Sequence, residues 1–193
     1  MTRGRPRGQV RIIGGRFRGR VLPVADLPGL RPSADRVRET LFNWLQPVIA
    51  GARCLDLFAG SGALGLEAAS RGAAEVLMLD QSPRVVQRLR SNVASLDAHQ
   101  VRVVQADGAR WLAQLGTPYD VVFLDPPFAS DLLARSCRLL EQYGWLRLDA
   151  RIYLESDAAR PSPPLPGTWR QLKAKQAGRV RYVLAQNTGS PGA

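Results

Sequence analysis

Beyond Gly51 the chain alternates between two hydrophobic rhythms. Short apolar runs at 53–58, 75–79, 101–105, 120–124 and 152–155 read as strands buried on both faces. Between them, apolar positions recur every three or four residues. The segment 63–71 predicts a helix that Gly72 ends. Ser82 caps the next, with Pro83 at its first position and Val85, Leu89, Val93 and Leu96 along one face. A short helix follows over 108–115, and another runs from a Ser130 cap to Gly144. Runs at 169–175 and 179–186, joined across Gly178, predict a closing antiparallel hairpin. Strand–helix alternation of this kind implies an α/β fold: a mostly parallel, seven-stranded sheet covered on both faces.

The first 50 residues have a different texture. Runs at 10–13 and 17–22 flank Gly14-Gly15-Arg16 and predict a basic hairpin. Residues 27–32 form a Pro/Gly loop, and Ser33 is placed to cap a helix reaching about Val48, with Val37, Leu41, Trp44, Leu45 and Val48 inward. Arg36, Arg38 and Glu39 then face solvent or a ligand. Three parts are expected: a basic N-terminal extension over 1–50, the α/β domain over 51–188 and a frayed tail over 189–193.

Charge sharpens this division. Net charge is +11, with residues 1–40 carrying ten Arg against three acids. Residues 160–193 hold six bases and no acid, while the segment between is nearly neutral. Basic ends around a neutral core are the footprint of a polyanion binder, and Arg11, Arg16, Arg18, Arg20, Arg31, Arg36 and Arg38 are the expected nucleic-acid contacts. No stretch approaches the length of a membrane span. Cys54 and Cys137 lie far apart and read as core residues of a reduced, cytoplasmic protein. A single histidine, His99, leaves neither a His-rich zinc site nor a Ser-His-Asp triad with its Gly-x-Ser-x-Gly elbow; no metal is expected.

Two motifs carry chemistry. Asp56-Leu57-Phe58-Ala59-Gly60-Ser61-Gly62-Ala63-Leu64-Gly65 ends one strand and opens a helix. Gly60, Gly62 and Gly65 satisfy G-x-G-x-x-G, and Asp80, 20 residues after Gly60, ends the next strand, where an acid holds ribose hydroxyls. Gly60, Ser61 and Gly62 with Phe58, Ala59 and Gln81 suit either NAD or S-adenosylmethionine. Asp56 favours the latter, because a negative group there repels a pyrophosphate but suits an ammonium and sulfonium. Asp107, with Gly108 after the third strand, is placed for an adenine amine. Helix capping alone explains any one of these acids, but less readily three at successive strand ends. The second motif, Asp125-Pro126-Pro127-Phe128, follows the fourth strand. Asp125 and the Pro126 carbonyl accept the two N–H groups of an exocyclic amine, Pro127 makes the corner rigid, and Phe128 offers a stacking face. A plain turn is the bland alternative.

These motifs together resemble the bacterial RsmD family, guanine-N2 methyltransferases of 16S ribosomal RNA. The resemblance runs from about Val10 to Gln186 and is most specific at Arg11-Ile12-Ile13-Gly14-Gly15, Leu30-Arg31-Pro32, residues 35–45, 56–65 and 125–128. It implies a Rossmann-like class I methyltransferase fold, S-adenosylmethionine held by Asp56 to Gly62, Asp80 and Asp107, and the target base held by Asp125 to Phe128. It further implies a partner in the small ribosomal subunit or a late assembly form of it, met as a monomer. Residues 157–168 match poorly and receive no role. Three other functions stay open: an N6-adenine methyltransferase on RNA or DNA, an NAD(P)-dependent oxidoreductase, and a non-catalytic RNA-binding assembly factor.

Overall fold

A computed structural model describes residues 8–25, 35–128, 130–161 and 164–189. Arg31, Ser33, the 27–32 loop and most of the expected tail lie outside these. The elements run β1 (Gln9–Arg11), β2 (Val21–Pro23), α1 (Asp35–Ile49), β3 (Arg53–Asp56), α2 (Ala63–Ser70), β4 (Glu75–Asp80), α3 (Pro83–Leu96), β5 (Val101–Gln105), α4 (Gly108–Leu112), β6 (Tyr119–Leu124), α5 (Leu132–Gln142), β7 (Leu146–Asp157), β8 (Trp169–Ala177) and β9 (Val180–Asn187).

Seven strands form one sheet in the order β5-β4-β3-β6-β7-β9-β8. The first five are parallel, and β9 closes antiparallel between β7 and β8. The chain leaves β3 for β4 on one side and later returns to its other side as β6. That reversal opens a crevice at the C-terminal strand ends.

Successive strand residues feed opposite cores, as a two-residue period demands. Cys54, Val76, Met78, Val121 and Phe123 pack beneath α1, α2 and α3. Leu55, Leu77, Leu79, Val122 and Leu124 pack against α4 and α5. Rings at 5.6–6.5 Å centroid spacing link α1 to the far strands, as Phe42–Phe123–Tyr153–Tyr182–Trp44.

Several local expectations need correcting. The hairpin strands shrink to three residues each, and residues 12–20 form a loop docked on α2. Glu67 accepts the Ile13 and Gly14 N–H groups, both at 2.8 Å, and the Ser70 carbonyl accepts the Arg16 N–H at 2.7 Å. Gly15 makes that approach possible: its φ is +74°, and a Cβ there would meet the Ser70 carbonyl oxygen at 1.8 Å. Ser130 does not cap α5. Asp131 holds that position, and the Ser130 hydroxyl donates instead to the Pro127 carbonyl at 2.6 Å. Strand β7 begins at Leu146, well before the expected 152.

Candidate active site

The C-terminal ends of the five parallel strands surround a cavity of about 840 Å³. Every expected cofactor residue except Gly62 lines it, and so do all four residues of the proline corner. Val37 of α1 also reaches it. Gly62 instead caps α2 with φ +77°, where a Cβ would strike Leu89 at 2.6 Å, so its role is to turn the chain and admit close packing.

The glycine loop is held by acids on both sides. Asp56 is only 2% exposed, and its Oδ2 accepts the Gly65 N–H at 2.9 Å. Burial pushes its carboxyl up to about 7, the neighbouring Asp80 charge adds to the rise, and N–H groups of Gly65 and Phe58 oppose it. Asp80 accepts the Gly60 N–H at 3.0 Å and the Ser82 N–H at 2.8 Å, fixing loop and α3 to the end of β4. Ser82 caps α3 through the Val85 N–H, with Pro83 behind it. Asp107 caps α4 through the Arg110 N–H at 3.0 Å and also lines the cavity, so capping and pocket lining coincide in one residue. Between these acids lie Leu57, Phe58, Ala59, Leu64 and Ala106. A slot with acids at its polar stations and apolar walls suits a cation bearing a diol and a flat heterocycle. It is poor for a pyrophosphate, which would face Asp56 and Asp80.

The proline corner is braced by its carbonyls. Pro127 accepts the Ser130 N–H at 3.2 Å as well as its hydroxyl, and Phe128 accepts Arg160 Nη1 at 3.3 Å. Asp125 and Phe128 are half-buried, Pro126 is buried and Pro127 is exposed.

Sequence reasoning missed two groups. Glu155, 4% exposed near the end of β7, lines the cavity and accepts the Tyr153 hydroxyl at 2.6 Å. Asp157 and Arg160, in the stretch given no role, line it too, as does Arg179 across from them. Asp157 pairs with Arg179 at 2.8 Å and accepts the Ala159 N–H at 3.0 Å; that backbone bond first, then the arginine, holds its carboxyl below the usual range. A signal existed: each parallel strand carries an acid at or within two residues of its end, and on β7 these are Glu155 and Asp157.

The arginines divide. Arg11, Arg16, Arg18, Arg20 and Arg36 are exposed, with Arg16 lying 5.2 Å over the Phe17 ring and Arg20 donating to the Ser95 carbonyl at 3.0 Å. Arg38 corrects the expectation outright. It is fully buried, donates to Asp35 at 2.6 Å and to the Arg11 carbonyl at 2.9 Å, and lies 3.9 Å from the equally buried Glu67. Glu67 also takes Arg71 Nε at 2.7 Å. This cluster fastens β1 and the docked loop to α1 and α2; it cannot touch RNA.

Among the described residues, no helix is long and apolar enough to cross a membrane, and no group of three or more His, Cys, Asp or Glu could hold a metal ion. Cys54 and Cys137 are buried and free, their thiols pushed up chiefly by burial.

The fold recurs in known proteins. The family described as Conserved hypothetical protein 95 matches residues 10–186. The chain is 54% identical over 179 residues to Ribosomal RNA small subunit methyltransferase D of Escherichia coli K12, covering 93% of this chain and 90% of that one. It is 45% identical over 185 residues to the Haemophilus influenzae protein of the same name, covering 94% and 95%. The solved structure of Escherichia coli yhhF superposes with a TM-score of 0.90 at 51% identity, covering 95% of this chain and all of that one. Its mostly parallel sheet with the β7-β9-β8 closure is the class I methyltransferase fold, and the chain belongs to the RsmD family, the one described as Conserved hypothetical protein 95.

Proposed function

We propose that this protein transfers a methyl group from S-adenosylmethionine to the exocyclic N2 amine of a guanine in 16S ribosomal RNA, within the small subunit or a late assembly form of it. One observation carries it: the acid-flanked glycine loop and the Asp-Pro-Pro-Phe corner line one cavity. Donor and acceptor sites are thus neighbours, as direct transfer requires. The Escherichia coli and Haemophilus influenzae relatives are named for small-subunit ribosomal RNA, which favours RNA over DNA.

The residues fit the donor. Asp56 would hold its ammonium end, Asp80 its ribose hydroxyls and Asp107 its adenine amine, between apolar walls. When bound, S-adenosylmethionine supplies an activated methyl carbon on sulfonium. All other work falls to this chain. Asp125 and the Pro126 carbonyl accept the two N–H bonds of the guanine amine and aim its lone pair. Conjugation with the ring makes that amine a weak nucleophile, and positive charge grows on it as it attacks. A fixed carboxylate stabilises the charge more in the transition state than in the ground state. Phe128 stacks on the base once it leaves its helix. The exposed arginines of the loop, β1 and α1 grip phosphates and set register without reading sequence.

Tritiated methyl transfer to small subunits from a strain lacking this gene, followed by mapping of the label, tests the proposal. Label on a guanine N2 is expected. Label on an adenine N6 would move the function to the adenine enzyme, and binding of NADH in place of S-adenosylmethionine would move it to the oxidoreductase.

A further inference from the structure

We infer that Glu155 is the residue that selects guanine over adenine, by accepting the N1–H of the base whose amine Asp125 holds. The inference rests on the guanine-N2 function proposed above and names how that site tells its base.

Three observations support it. First, β6 and β7 are parallel neighbours with Leu124 opposite Leu154, so Asp125, just past β6, and Glu155 on β7 are the next residues along the two chains. Adjacent strands lie about 4.8 Å apart, which puts the two side chains within reach of one base edge. Both residues line the cavity. Second, Glu155 is 4% exposed, and a carboxyl removed from water in this way is costly unless it is bonded. Third, Tyr153 lies two residues earlier on the same strand face, fully buried, and its hydroxyl donates to Glu155 Oε1 at 2.6 Å. Burial above all, then the charges of Glu155 and Asp125, hold that hydroxyl well above the usual tyrosine range. It stays a donor, which fixes the carboxyl group's orientation and casts it as an acceptor.

The base chemistry matches. Guanine presents N1–H and N2–H₂ side by side, two donors for two carboxylates. Adenine presents an amine beside N1, an acceptor. Set in the same cleft, its N1 lone pair would face the Glu155 carboxyl group, acceptor against acceptor. Sites built to bond a polar group reject analogues that lack it far more strongly than apolar pockets reject a missing methylene. Asp125 alone cannot discriminate, since both bases carry an exocyclic amine.

2-Aminopurine tests the contact, because it keeps the N2 amine and has an acceptor at N1; it also lacks the C6 carbonyl, so the Glu155→Gln preference separates the N1 contact from that loss. Small subunits are reconstituted around 16S RNA bearing guanine or 2-aminopurine at the mapped position. The wild type is expected to methylate the 2-aminopurine particles about 100-fold more slowly or worse, as loss of a built hydrogen bond implies. Glu155→Gln carries an amide donor. It is expected to bind S-adenosylmethionine within about twofold of wild type, lose about 100-fold on guanine, and shift preference toward 2-aminopurine. Tyr153→Phe removes the hydroxyl bond that orients the carboxyl group and is expected to shrink the wild-type ratio by about tenfold, a reading that stands if Glu155→Gln fails to fold. Equal wild-type rates on the two particles would overturn the inference whatever the variants do. An unchanged base preference in Glu155→Gln, with folding and cofactor affinity intact, would do so as well. If the wild type labels no guanine at all, the proposed function itself is at fault.

Discussion

The buried carboxyl of Asp56 makes a quantitative prediction about stability. Its ordinary value is 3.8, and burial raises it to about 7. A carboxyl raised by folding binds its proton more tightly folded than unfolded. Its contribution is therefore fully favourable below about 4 and disappears as pH rises through about 7. The span corresponds to about 4 kcal/mol at 1.36 kcal/mol per pH unit, an upper value because water entry relaxes the desolvation. Asp56→Asn removes the titration but puts an amide N–H₂ near the Gly65 and Phe58 N–H groups, which costs about 1–3 kcal/mol. Near pH 8 the ligand-free variant is thus expected to match or exceed wild-type stability, by up to about 3 kcal/mol; below pH 5 it should be the weaker of the two. Urea unfolding of both proteins from pH 5 to 8.5 measures the difference directly and cancels groups they share. A cationic ligand favours the ionised form, so wild-type affinity for S-adenosylmethionine should fall as pH drops below about 7, by as much as tenfold per unit. A stability gap that stays flat across this range would show that Asp56 does not titrate near neutrality, and the account of its burial would be wrong.

Four further outcomes follow from the geometry. Asp125→Asn should slow methyl transfer about 100- to 1,000-fold in single-turnover assays while calorimetry finds S-adenosylmethionine binding unchanged. Arg38→Ala leaves Glu67 buried without one of its cationic neighbours and should cost about 3–5 kcal/mol in urea unfolding, with faster amide exchange in β1 and the docked loop; an effect on RNA affinity alone would contradict its burial. Gly15→Ala combines an unfavourable φ with a Cβ at 1.8 Å from a carbonyl oxygen, so the loop should detach and become a site of limited proteolysis, which Gly19→Ala, with nothing within 4 Å, should not produce. Replacing Arg11, Arg16, Arg18, Arg20 and Arg36 by Gln should weaken RNA binding at unchanged cofactor affinity. The slope of log affinity against log salt should fall by about 0.7–0.9 for each phosphate the protein no longer neutralises.

The sheet is legible because its central strands are buried on both faces, and a continuous apolar run as short as Val121 to Leu124 suits a doubly covered strand better than a helix. Where one half of a strand meets water, the signal fails. Residues 146–149 of β7 are largely exposed, Leu148 among them at 68%, so pairing with neighbours decides their conformation and local pattern does not. Ser130 and Asp131 both suit a cap, and only the nearby Pro127 carbonyl decides which is drawn away. Arg38 is misplaced when charge is equated with exposure. Yet Arg38, Phe42, Leu45 and Ile49 fall four, three and four residues apart, a single helical stripe, and all are buried. The stripe is present in the sequence, headed by a residue that composition assigns to the surface. The cavity acids are legible because their spacing follows strand ends. Glu155 escapes because no recognised motif surrounds it.

Helix α2 explains why a basic loop and a cofactor pocket belong to one protein. It is eight residues long, about 12 Å at 1.5 Å per residue, and buried throughout. Its N-terminal end emerges from the Gly60–Gly62 turn beside the cavity, and its C-terminal end carries Glu67 and Ser70, which receive the Ile13, Gly14, Arg16 and Phe17 N–H groups. The loop bearing Arg16 and Arg18 is thereby set at a fixed distance from the glycine turn. Helix α1 adds a second tie, since Val37 lines the cavity while the next residue, Arg38, binds the Arg11 carbonyl. Phosphate contacts that set register matter to transfer only if the base then arrives within about an ångström of its reacting position beside the donor. A flexible tether between extension and sheet would lose that precision. Bonding the extension to the short helix that begins at the glycine loop preserves it, and this is a physical reason for Glu67 and Arg38 to be charged and buried rather than apolar.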